Sequence, residues 1–152
     1  MAKFSFNGMD EISASFDQIA SLNDEEKMSV IMPGARILLE RQREKIRSLF
    51  TQRTRDLANS LTIEERSGED GPYAWIFPKG KHRGSSTGKR RGKRRTNGKY
   101  SGTNAEVAYV LEHGSPRISA THWMETANEE AEEEVVAVQQ AAWGELLTEK
   151  GL

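Results

Sequence analysis

Residues 79–99 read KGKHRGSSTGKRRGKRRTNGK, and this stretch limits the fold more than any other. Ten of its twenty-one residues are Lys or Arg, five are Gly, and none is acidic or large and apolar. Such a segment cannot bury enough apolar surface to offset its ordering entropy. It is expected to be a mobile loop, so one core must be assembled from the flanking 78 and 53 residues. The formal net charge of −1 conceals this division: removing the ten cations leaves twelve Lys/Arg against twenty-three Asp/Glu. The chain is therefore an acidic body carrying a basic insertion, read as a single domain spanning 1–152 with the loop at 79–99.

The flanks suggest an α+β fold. KFSFNG alternates Phe4 and Phe6 with polar residues before Asn7-Gly8, as a short strand or extended arm with a turn does. Asp10 can cap a helix bearing Ile12, Phe16 and Ile19. Asn23-Asp24 can open a second helical region running to Phe50, which Pro33-Gly34 should kink or divide. LANSLTIEER and GPYAWIFPKG, separated by SGEDG, read as two strands; Tyr73, Trp75 and Phe77 form one face and Ala74 and Ile76 the other. NAEVAYVLEHG leads back into regular structure. The last third reads as a long helix, with Ala127, Ala131, Val135, Val138, Ala142 and Leu146 along one face and Thr121 as its cap. Trp75, Trp123 and Trp143 sit in apolar patterns, which assigns them to the core or to a subunit interface.

Little in the sequence supports catalysis. With no cysteine there is no disulfide, thiolate site or Cys nucleophile, and a reducing compartment is expected. GSSTGKR at 84–90 is not a phosphate-cradling loop: three residues, not four, separate Gly84 from Gly88, and Arg90 follows Lys89. His82, His113 and His122 lack the i, i+4 partner of a helical metal site, so no metal or other cofactor is expected. The glutamates at 129, 130, 132, 133 and 134 read as a solvated helix face. No G-x-S-x-G elbow is present, nor any apolar run of signal-peptide or membrane-spanning length.

The basic segment can attract polyanions by counterion release, without sequence preference because no Tyr or Phe lies among its cations for base stacking. The contact residues expected are Lys79, Lys81, Arg83, Lys89, Arg90, Arg91, Lys93, Arg94, Arg95 and Lys99. The alternatives are a solvated loop, or one docking on an acidic neighbouring surface.

FSFNGMDEI at the start and AYVLEHGSPRISATHWMETANEEAEEEV near the end resemble the neck and tail-completion family of long-tailed bacteriophages, whose members are also described as tail components or morphogenesis proteins. The family phrase Y-A-x-x-V/L-E-x-G-[ST] is met by Ala108, Tyr109, Leu111, Glu112, Gly114 and Ser115, with Ala and Tyr reversed. Trp123-Met124 stands where Phe-Met is usual. The family's P-x-x-T-G-x-L before the first strand is not kept: Gln52 to Leu57 lacks the Pro and the Gly. The resemblance implies a structural, non-enzymatic virion protein, assembled in the host cytoplasm. It would form a homo-oligomeric ring, sixfold by expectation, between head-closure or connector proteins and the tail terminator, around the DNA channel. The basic loop would then touch genomic DNA non-specifically or reach a neighbouring ring. The competing expectation is a cytoplasmic, sequence-nonspecific nucleic-acid-binding protein using 79–99.

Overall fold

The computed structural model describes residues 17, 19–49, 55–81 and 103–151. A helical turn ends at Ala20, and the chain passes through buried Leu22 into α1, Asp24–Leu49. The expected start is confirmed by a reciprocal cap. Asn23 Oδ1 accepts from the Glu26 N–H at 2.8 Å, and Glu26 Oε2 accepts from the Asn23 N–H at 2.9 Å. Asp24, Glu25 and Glu26 in the first turn and Arg47 in the last suit the helix dipole.

Pro33 does not divide this helix, which runs through it as one 26-residue element. The proline removes one main-chain bond, but the turns around it are held by tertiary packing. Gly34 lies so close to the C-terminal helix that an added Cβ would sit 2.8 Å from Gln139 Nε2. Packing against a partner helix, more than propensity, keeps a helix of this length intact.

The next elements are α2, Arg55–Ser60, β1, Leu61–Gly68, and β2, Gly71–Pro78. The first strand starts at Leu61, later than expected, because Leu57 to Ser60 are helical. The reason is spacing: Leu57, Ala58 and Leu61 are all buried, and i, i+1, i+4 is one stripe of a helix, not one face of a strand. Ser60 Oγ donates to the Leu57 carbonyl at 2.7 Å at the end of this turn. The two strands pair antiparallel across Glu69-Asp70, with Glu64 opposite Trp75 and Arg66 opposite Tyr73. Gly71, at φ 113, supplies the backbone conformation that closes the hairpin.

After the 82–102 interval come α3, Asn104–His113, and α4, Trp123–Glu149. α4 runs antiparallel to α1: Glu26 near the start of α1 pairs with Lys150 just beyond α4, while Lys45 near the end of α1 meets Glu130 early in α4 at 2.5 Å. Between these ends Gln42, buried, donates to Asn128 Oδ1 at 2.9 Å. The predicted seam holds: Ala127, Ala131 and Leu146 are buried, and Val135, Val138 and Ala142 are half-buried. The core gathers Leu39, Ile46, Leu57, Ala58, Leu61, Ala108 and Trp123, with Ile63 and Ile76 packed on it from the inner face of the hairpin. The fold is α+β: among the described residues, helices, one two-stranded antiparallel sheet, and a long C-terminal helix. No helix among the described residues is long and apolar enough to cross a membrane.

Candidate functional site

The base of the cationic insertion is built from both of its ends. Lys79 donates its N–H to the Ser60 carbonyl at 2.9 Å, which extends the hairpin by one rung. Gly80 turns with φ 86, and Lys81 pairs with Thr103 across an isolated antiparallel bridge. Asn104 then ties the ends together twice. Its N–H donates to the Gly80 carbonyl at 3.0 Å, and its Nδ2 donates to the Lys79 carbonyl at 2.8 Å. Asn104 is buried, so these bonds form away from competing water. Thr103 caps α3 reciprocally with Glu106, at 3.1 and 2.9 Å, and so fixes the outgoing strand to a helix. The insertion thus leaves and rejoins the body at one closed point. Of the ten expected contact residues, Lys79 and Lys81 lie in this base. Arg83, Lys89, Arg90, Arg91, Lys93, Arg94, Arg95 and Lys99 fall outside the described residues, as do Phe4, Phe6 and Asp10.

Of the five residues that carry the resemblance, Glu112, Gly114, Trp123 and Met124 come together around the junction of α3 and α4. Trp123 is fully buried, and its Nε1 donates to the Ala108 carbonyl at 3.4 Å. Glu112, buried at the end of α3, accepts from the Met124 N–H at 2.7 Å and the Glu125 N–H at 3.2 Å. The cap of α4 is therefore a carboxylate from another helix, not Thr121. Thr121 faces the other way: its N–H and Oγ1 both donate to the Leu111 carbonyl, at 2.9 and 2.6 Å. The His122 N–H adds a bond to the Glu112 carbonyl at 3.3 Å. Each helix end satisfies the free groups of the other. A carboxylate is the suitable acceptor there because the N-terminal end of α4 is partially positive.

Gly114 makes this clamp possible. It has φ 81, and a Cβ there would lie 2.8 Å from Ala120 N and 3.0 Å from Ile118 O, both main-chain atoms. The link folds into a tight turn in which Ser115 and Ile118 exchange main-chain bonds at 2.7 and 3.1 Å. Met124 packs against the core beside Trp123, whereas Tyr109 is 65% exposed, its ring 4.5 Å from that of His113. So Glu112, Gly114, Trp123 and Met124 form one structural unit, and Tyr109 stands outside it.

His122 has no i, i+4 metal-ligand companion along the chain, yet the clamp places it beside Glu112 and Glu125, with ligand atoms within 4.8 Å of one another. Glu112 already accepts two N–H groups in this cluster, and His122 Nδ1 is 3.2 Å from Glu125 Oε2. The group reads as the electrostatics of a helix start. Only the fold, through the seven-residue link after Gly114, brings these positions together.

The outer face of the hairpin is the second exposed feature. Tyr73 and Trp75 point away from the core, Phe77 stacks on Trp75 at 4.9 Å, and the Arg66 guanidinium lies 3.9 Å from the Trp75 ring centroid. Of the three tryptophans only Trp123 is fully buried; Trp143 is half-buried and Trp75 is 43% exposed. No family model, curated protein or solved structure matches this chain.

Proposed function

We propose that this chain is a structural subunit of a homo-oligomeric ring at the head–tail joint of a long-tailed bacteriophage. In this reading it surrounds the DNA channel and uses its cationic insertion as an assembly contact. The observation that carries the reading is the closed base at Lys81 and Thr103, where buried Asn104 holds both ends of the insertion. Ten cations lie between 79 and 99 in a chain whose other residues carry twelve Lys/Arg against twenty-three Asp/Glu. Unlike charge on two parts of one chain suits head-to-tail contacts, which close into rings when the rotation allows. The motif residues support it differently. Glu112, Gly114, Trp123 and Met124 have a joint structural task, so a phrase of this type is what a family sharing the α3–α4 clamp would retain.

The competing reading is a free nucleic-acid-binding protein using the same cations. The two separate on one variant, in which Arg90, Arg91, Arg94 and Arg95 are all replaced by Ser. The ring reading expects the variant to remain folded and to fail in assembly or genome retention, with weak duplex binding by the parent monomer. Tight duplex binding by that monomer would favour the competitor. If it made about six phosphate contacts, its affinity would fall roughly 10³-fold between about 50 and 200 mM salt. Normal particles built with the variant would overturn the role given to the insertion.

A further inference from the structure

On the outer face of the hairpin the aromatic row is only partly covered, by the Arg66 guanidinium of the hairpin itself over the Trp75 ring. Tyr73 and Trp75 are 46% and 43% exposed, in line with Phe77 on the same strand. The inner face is already committed to the core through Ile63 and Ile76. Two-stranded sheets are marginal alone, and a row of aromatic side chains on one is surface that a stable domain covers.

The length and composition of the chain ahead of Asp17 bear on what covers it. Sixteen residues precede that position, including Phe4 and Phe6 in alternation, and Lys3 is the sole charged side chain of residues 1–9. The body begins beside the hairpin tip: Ser67 Oγ donates to Asp24 Oδ2 at 2.7 Å, at the first residue of α1. The tip itself carries exposed Glu69 and Asp70, opposite in sign to Lys3. Eight-residue strands span about 26 Å, and the eleven steps from Phe6 to Asp17 reach up to about 36 Å. That reach exceeds the length of the strands.

We propose that the outer face of the hairpin is the docking surface for the chain's own N-terminal residues 3–8, with Phe4 and Phe6 packed on the Tyr73–Trp75–Phe77 stripe. The exposed aromatic face and the two N-terminal phenylalanines then bury one another. This inference does not depend on the ring reading.

The lack of native cysteine allows a direct test in the full-length chain. Phe6→Cys combined with Glu64→Cys, on the outer face opposite Trp75, should form an intramolecular disulfide under mild oxidation, since such a bond needs Cα atoms within about 7 Å. Phe6→Cys with Tyr109→Cys is the control and should remain reduced. A parallel readout avoids new thiols. In a Trp143→Phe background, Phe4→Ser with Phe6→Ser should red-shift the emission of Trp75 and raise its quenching by acrylamide, with far-UV circular dichroism unchanged. No excess of linking over the control, linking between two chains instead of within one, or unchanged Trp75 quenching would each overturn the proposal. Linking between chains, or Trp75 protection that appears only with rising protein concentration, would assign the face to a second copy.

Discussion

Glu112 joins two helices through a single carboxylate, so its replacement has a definite expected cost. Glu112→Ala leaves the Met124 and Glu125 N–H groups without their acceptor in a partly buried place, which costs about 1–3 kcal/mol. Glu112→Gln keeps one acceptor oxygen and should lose less. Urea denaturation of the two variants checks both the size and the order. Gly114→Ala should be at least as damaging: its φ of 81 and the 2.8 Å approach to Ala120 N combine strain with a main-chain clash. Thermal melting should show a clear drop, and an unchanged midpoint would mean that the α3–α4 link can be rebuilt. At this scale the sequence was legible where a residue acts on its neighbours. Asn23 and Glu26 cap α1 as their spacing implies, whereas Glu112 caps a helix that starts eleven positions later. Nothing local marks Glu112, because its partners are supplied by the fold of the link.

The long helices are legible in the sequence as elements because their apolar spacing persists over many turns. Ala127, Ala131 and Leu146 are buried as the α4 pattern requires. Two local signals were outweighed by packing: Pro33, carried inside α1, and the strand-like run at Leu57, which turned out helical because Leu57, Ala58 and Leu61 share one buried stripe. The antiparallel pairing of α1 and α4 carries a pH prediction. Glu26 is held below the usual carboxylate range, first by its hydrogen bond with Lys150 and then by the Asn23 N–H. A depressed folded-state pKa adds stability that is complete above the ordinary carboxylate pKa and is lost as pH falls through the folded value. The melting temperature should therefore decline on acidification. The gap between the parent and Lys150→Met should narrow over the same interval, and a gap constant from neutral to acid pH would show that the pair contributes nothing.

For the molecule as a whole, the division into acidic body and basic insertion was apparent from composition, but the closed base was not. It depends on Lys79, Gly80 and Lys81 meeting Thr103 and Asn104, and no sequence pattern announces a contact across so long an interval. The consequence is that the body should fold without the insertion. Replacing residues 82–102 by a short Gly-Ser linker should leave urea stability within about 0.5 kcal/mol of the parent, as for changes away from packed or capped positions. A loss of several kcal/mol would mean that the insertion helps to build the core. The proposal that unites these observations is one of place: a ring subunit at the head–tail joint whose cationic insertion works within the assembled particle. The most direct measurement is electron microscopy of purified phage particles carrying a label on this chain. The account predicts label at the joint between head and tail tube, and particles bearing label elsewhere, or none at all, would contradict it.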